Sequence, residues 1–215
     1  WVYATYELVE RSERHVVMTG PASPYTGIRL TKSYVLHGNA VELAVEAVNV
    51  SGRTLRWGLW SNTRVPADRR VFVPVSGVSA VRMETKQPDI MAWSANDGLF
   101  RFDPHAPDDP RFGSAKAFIH PSESWIASFQ GECTLIKRSL SMEAEKVHHE
   151  QAPVEIYYRK PDSDHHGFIE LEMHGAYRTL ESGESSEFRE TWRLIPRDGG
   201  STDAAMMDEL ESLVR

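Results

Sequence analysis

The sequence predicts an all-β protein, a sandwich or barrel of short antiparallel strands, and three observations predict it. Apolar residues recur with a period of two in run after run, the spacing of a strand with one covered face. Short turns containing Gly, Asn, Ser and Pro part these runs and leave no room for crossover helices. Helical spacing stands out only at the C-terminus.

The chain opens at Trp1 inside a strand-like run, VYATYELV, and a trimmed or processed N-terminus is expected, with part of a parent protein ahead of it. Ile28–Leu36 alternates and ends in His37-Gly38-Asn39, residues that tolerate positive φ. Val41–Val50 sets Val41, Leu43, Val45 and Ala47 against Glu42, Ala44, Glu46 and Val48, and Asn49-Val50-Ser51-Gly52 turns the chain. With Thr54–Arg64 these runs are expected to form a meander of three neighbours. Val71–Val75, Val78–Thr85, Ala115–Ile119, Ser124–Phe129, Thr134–Leu140 and Val154–Arg159 continue the pattern.

Lys86–Phe112 carries Pro88, Pro104, Pro107, Pro110, the turn Asn96-Asp97-Gly98 and the pair Asp108-Asp109. It reads as a long loop with short strands, a solvated insertion or a functional one. In the run GFIELEMHG, Phe168, Glu170, Glu172 and His174 face one way and Ile169, Leu171 and Met173 the other. Glu181-Ser182-Gly183-Glu184 then turns the chain into Ser186–Leu194. After Asp198-Gly199-Gly200-Ser201, the residues Met206, Met207, Leu210, Leu213 and Val214 fall at helical spacing, with Asp203 as cap. Residues 1–197 are thus expected as the β domain and 198–215 as a linker and short amphipathic helix.

Forty per cent apolar and 26% charged residues are ordinary proportions for a folded chain. No run approaches the ~20 apolar residues of a membrane helix, and a soluble protein is expected, cytoplasmic or exported after processing. A net charge of −7, with scattered basic residues, argues against nucleic-acid binding. The single cysteine, Cys133, cannot form an internal disulfide and reads as a buried structural thiol.

No GxSxG, phosphate loop or GxGxxG occurs, which leaves kinase, dehydrogenase and serine-hydrolase chemistry unsupported. His148-His149 and His165-His166 are adjacent pairs, which on a strand point to opposite faces, so neither metal nor cofactor is expected. What remains is carboxylate, imidazole and aromatic. Glu170, Glu172 and His174 are the candidate catalytic residues, although a wet sheet surface would explain the same alternation. Trp60, Asn62 and Arg64 share a strand face that offers a plate for a sugar ring beside an amide and a forked donor. Packing in the core is the alternative for Trp57 and Trp60. Lys116 and His120, in AKAFIH, complete the candidate binding residues.

The segments TGIRLTKSYVLHGNAVELAVEAVNVSGRTLRWGLWSNTRV and ELEMHGAYRTLESGESSEFRETWRL, in that order, resemble the galactose-mutarotase-like superfamily. The likeness is closest to a bacterial branch known as a domain of unknown function and covers most of Tyr25–Pro196. It implies an antiparallel β-supersandwich in which the concave face of one large sheet binds a carbohydrate. Aldose mutarotases of that superfamily open the pyranose ring with a glutamate base and a histidine acid. The strand of Glu170 and Glu172 is similar in order to the one carrying that glutamate. The segment comparable to the one bearing the histidine, Trp60-Ser61-Asn62-Thr63, has no histidine.

Three functions follow as expectations. The first is carbohydrate binding, with acidic sugars such as uronates brought in by Arg64 and Lys116. The second is an aldose 1-epimerase-like isomerase that pairs Glu172 with His174 or His120. The third is a non-catalytic interaction domain of a larger protein.

Overall fold

The structure, a computed structural model, describes residues 4–85, 92–104, 113–130, 132–140, 142–161 and 166–197, with Met206 and Leu210. The strands in chain order are β1 (Glu7–Arg11), β2 (His15–Thr19), β3 (Ile28–His37), β4 (Ala40–Asn49), β5 (Leu55–Trp57), β6 (Trp60–Val65), β7 (Arg70–Pro74), β8 (Val81–Thr85) and β9 (Ala92–Asn96). They continue with β10 (Leu99–Asp103), β11 (Ser114–Ile119), β12 (Trp125–Gln130), β13 (Cys133–Ser139), β14 (Val154–Arg159), β15 (Phe168–His174), β16 (Arg178–Leu180) and β17 (Ser185–Pro196).

A ten-stranded sheet runs β1-β2-β3-β4-β17-β13-β12-β7-β10-β9 and a five-stranded sheet β6-β15-β14-β11-β8; β16 and β5 form a short ribbon. The pairing is antiparallel throughout. The main core lies between the two sheets. Leu43, Val71, Val73, Phe100 and Phe102 of the large sheet meet Ala117, Ile156, Tyr158, Ile169, Leu171 and Met173 of the small one. Period-two alternation on β15 therefore does what the sequence predicts, sending Ile169, Leu171 and Met173 into this layer. On the far face of the large sheet, Phe72, Trp125, Phe129 and Ile136 pack with Met206 and Leu210. These two are the described members of the expected C-terminal helix; Met207, Leu213, Val214 and the linker lie outside the described residues.

The meander is where expectation and structure part. β3 and β4 pair as expected, but the third run breaks in two. β5 pairs with β16, and β6 crosses to the small sheet beside β15. The break falls at Gly58, where a Cβ would come within 3.4 Å of the Tyr177 ring. β17 takes the vacant place beside β4, in register from Ser185↔Val48 to Arg193↔Ala40. Asn49 is buried at this junction; its amide donates to the carbonyls of Arg53 and Leu180 at 2.8 and 2.9 Å and ties the ribbon down.

The expected long loop contains a hairpin. Asp97 (φ 49°) and Gly98 (φ 78°) turn β9 into β10, both left-handed as a type I′ turn requires. The rest of that region, 86–91 and 105–112, lies outside the described residues. Residues Val78–Ala80, expected as strand, form a short 3₁₀ turn ahead of β8. Cys133 is free and half-buried, less covered than expected. Among the described residues no helix is long and apolar enough to cross a membrane.

Candidate functional site

The outer face of the small sheet gathers most of the chemistry the sequence singles out. Antiparallel register sets His174 opposite Trp60, Glu172 opposite Asn62 and Glu170 opposite Arg64. On the other side of β15, Glu172 stands opposite Glu155 and Glu170 opposite Tyr157 of β14. Tyr157 in turn faces Lys116 of β11. Side chains on one face of adjacent strands reach each other directly and diagonally, which brings Glu155, Glu172, Lys116, His174 and Trp60 together.

This face is not the wet surface that alternation alone allows. Glu155 is 0%, Glu172 1% and His174 6% exposed, because the carboxylates lie under Lys116 and Trp60 rather than under water. Lys116 Nζ lies 2.5 Å from Glu155 Oε2 and donates to Glu172 Oε2 at 2.9 Å. The Trp60 indole N–H donates to the same Glu172 oxygen at 2.8 Å, and the Ala152 N–H donates to Glu155 Oε1 at 2.9 Å. His174 Nε2 sits 3.5 Å from Glu155 Oε1 and 4.0 Å from Glu172 Oε2, with its ring stacked near Trp60 at a centroid distance of 6.4 Å. Glu172 Oε1 and His174 Nε2 are buried without a hydrogen-bond partner.

The two carboxyls have opposite characters. Burial pushes Glu172 up to about 7, reinforced by the Glu155 charge and opposed by the hydrogen bonds from Lys116 and Trp60. Glu155 is buried as well, but the His174 ring, the Lys116 ammonium and the Ala152 N–H outweigh that and hold it at about 2. Burial works against the Lys116 charge, and its two carboxylates more than compensate, raising its pKa above the ordinary value. One acid is thus ionised throughout the neutral range and its neighbour changes state within it, the arrangement that separates acid from base in a catalytic pair.

Arg64 Nε donates to Glu170 at 2.8 Å and lies over the Phe168 ring at 4.3 Å, so Arg64 and Lys116 are both engaged by carboxylates. Trp60, which could have been core, is 56% exposed, and Asn62 is exposed beside it. Trp57 is the half-buried one, packed against the core. His120 follows the last residue of β11 and is exposed.

Glu155 is the member that sequence reasoning passed over. Its signal is present, since Val154–Arg159 alternates and puts Glu155, Tyr157 and Arg159 on one face. Missing is the knowledge that β14 pairs with β15 and turns this face the same way.

Glu155, Glu172 and His174 each offer a ligand atom within 4.8 Å of the others, a donor set that would suit a small divalent cation. The Lys116 ammonium already stands between the two carboxylates and supplies positive charge there. His148, His149 and Glu150 form a second such group on a loop. The strand argument that separates the first two does not apply there, and their rings lie 4.3 Å apart. Of the other pair, His165 lies outside the described residues and His166 is exposed.

Solved structures share this fold at low sequence identity. A candidate aldose 1-epimerase of Escherichia coli K12 superposes with a TM-score of 0.59 at 14% identity, over 89% of this chain and 69% of that one. A galactose mutarotase-like protein of Lactobacillus casei gives 0.56 at 10% identity, over 88% and 72%. A TPR-domain containing protein of Parabacteroides distasonis gives 0.58 at 14% identity, over 93% of this chain but 35% of its own. The fold is therefore galactose-mutarotase-like, and the chain spans about a third of that longer protein. Among curated proteins none matches the sequence. The sequence profile of one family runs through residues 1–195, and the chain belongs to that family, described as domain of unknown function (DUF4380).

Proposed function

We propose that the outer face of the small sheet binds a carbohydrate and that Glu172 and His174 exchange protons with it, in the manner of an aldose 1-epimerase. The observation that supports this most directly is the split carboxylate pair: Glu155 held at about 2 and Glu172 raised to about 7, 4.0 Å from an imidazole. Proton transfer near neutral pH is fastest from groups that change state there.

In such a reaction one group takes the proton of the anomeric hydroxyl while the other protonates the ring oxygen. The C1–O5 bond breaks to give the open aldehyde, rotation about C1–C2 follows, and the reverse transfers close the ring on either face. Glu172 and His174 take these two roles. Glu155 stays ionised and holds Lys116 and His174 in position. Trp60 offers the exposed ring for the sugar to lie against, with Asn62 beside it. Because Arg64 and Lys116 already hold carboxylates, an uncharged sugar suits this face better than a uronate.

One observation favours a second reading, carbohydrate binding without turnover. Glu155 and Glu172 are almost fully covered, while Trp60, Asn62 and Arg64 stand open on β6. A proton NMR exchange experiment on the anomeric signals of a panel of neutral sugars, uronates and sugar phosphates separates the two. Exchange between α and β signals at catalytic protein concentration supports the epimerase. Line broadening without exchange supports binding alone, and no effect on any sugar overturns both.

A further inference from the structure

Behind the site, in the mainly apolar layer between the sheets, lies a charged pair. Lys137 of β13 and Glu190 of β17 are buried, Lys137 completely, and ion-pair at 3.4 Å. Lys137 Nζ donates to Thr63 Oγ1 and to the Leu171 carbonyl, each at 2.9 Å, and lies 5.7 Å from the Trp192 ring. The Ser61 hydroxyl donates to Glu190 Oε1 at 2.5 Å. Burial pushes the Lys137 pKa down from its ordinary value, against the pull of Glu190 and, more weakly, of Glu172 across the small sheet.

Such a pair is a poor device for stability. Desolvating two charges offsets most of their attraction, and apolar side chains of similar size commonly do as well or better. Among the described residues, however, its hydrogen bonds to the small sheet fall on two strands. Ser61 and Thr63 alternate with Trp60, Asn62 and Arg64 on β6, and Leu171 lies between Glu170 and Glu172 on β15.

β6 is also the edge strand of its sheet, held by β15 on one side. Its inward face is Ser61, Thr63 and Val65, a single apolar residue, so hydrophobic packing specifies its register weakly. A slip of one residue would turn Trp60, Asn62 and Arg64 into the core, and a slip of two would carry Ser61 away from Glu190.

We propose that the Lys137–Glu190 pair is a register lock for the site, fixing β6 and β15 in the one alignment that brings the Trp60 indole onto Glu172. Lys137 and Glu190 are positioning residues: they face the opposite side of the small sheet from the sugar. The lock deepens the function proposed above, since the strands it holds carry that site, but its test needs no sugar.

The fourfold variant S61A/T63V/K137M/E190M replaces the polar side chains with apolar ones of similar shape. The readout is the Trp60 indole 15N–1H resonance of the ligand-free protein, assigned with a W60F variant and followed from pH 5 to 9. In the parent this peak should move across that range, because the indole N–H donates to the Glu172 carboxyl, raised to about 7; a parent peak that stays still would overturn the alignment the lock is proposed to hold. The lock predicts that the fourfold variant melts at or above the parent's temperature and that its Trp60 peak loses the pH response. A retained response overturns the proposal. So does a variant that melts lower or fails to fold, which would make the pair a stabilising element instead. Failure of the epimerase reading would appear only in the sugar exchange experiment.

Discussion

Glu172 carries two expectations that follow from its surroundings alone. Glu172→Gln keeps the shape and removes the proton exchange, and should slow anomeric exchange by about 10²- to 10⁴-fold, the usual contribution of one general acid or base. Sugar binding should persist, measurable as line broadening at high protein concentration. The second expectation concerns pH. Both carboxyls titrate near 4.5 when unfolded. Glu172, raised to about 7, favours the folded state below pH 4.5, and this contribution is lost as the pH rises towards 7. Glu155, lowered to about 2, has the opposite effect: its contribution is present above pH 4.5 and disappears as the pH falls towards 2. Denaturant unfolding at pH 5 and pH 8 should therefore show the parent losing more stability across this interval than Glu172→Gln; equal losses would mean that Glu172 is not the group titrating there. Little of this chemistry could be read in the sequence. The alternation of Glu170, Glu172 and His174 is plain, but burial, the Lys116 bridge and the partner Glu155 depend on strands that period two cannot pair. Lys137, in the run TLIKRS, carries no sign that it points inward.

Single strands were easier to read than their neighbours. Alternation assigns faces correctly along β4 and β15, and Asn96-Asp97-Gly98 marks its hairpin because only a few residues accept two left-handed positions. β6 was misplaced, since a run that breaks at Gly58 looks continuous when only polarity is counted. Glycine also sets the entry to β15. Gly167 has φ +66°, and a Cβ there would lie 2.5 Å from the Pro161 nitrogen and 2.6 Å from the Arg159 carbonyl oxygen. Left-handed backbone costs an alanine about 1–2 kcal/mol, and these backbone neighbours cannot swing aside. Gly167→Ala should lower unfolding free energy by at least about 2 kcal/mol in urea titration, with weakened sugar binding as the β14–β15 pairing loosens. On β6, Trp60→Ala removes the exposed plate and should weaken binding, read as a rise in Kd for the sugar that binds the parent.

The molecule as a whole is held by the layer between the sheets. Phe102, fully buried against Tyr158 at a ring-centroid distance of 4.9 Å, joins them directly. Phe102→Ala should cost about 3–5 kcal/mol, seen as a lower thermal midpoint with Glu172 chemistry unchanged at temperatures where the variant stays folded. That the chain would fold as a sandwich or barrel of short antiparallel strands was legible from its turns and alternation, and the family resemblance implied the sandwich. Which strands sit together was not legible, because the pairings that matter join distant parts of the chain. β17 is the sharpest case: it lies between β4 and β13, with residues 185–193 against β4 and residues 190–196 against β13. Until β17 has emerged from the ribosome, β4 and β13 each keep a long open edge, and the large sheet exists only as two unjoined pieces. Joining them must therefore wait for residues 185–196 to pair with strands made long before, and loop closures of this length make it slow. The nascent protein spends that interval with two sticky edges exposed, a period in which a chaperone, or another copy of the same chain, can reach them first.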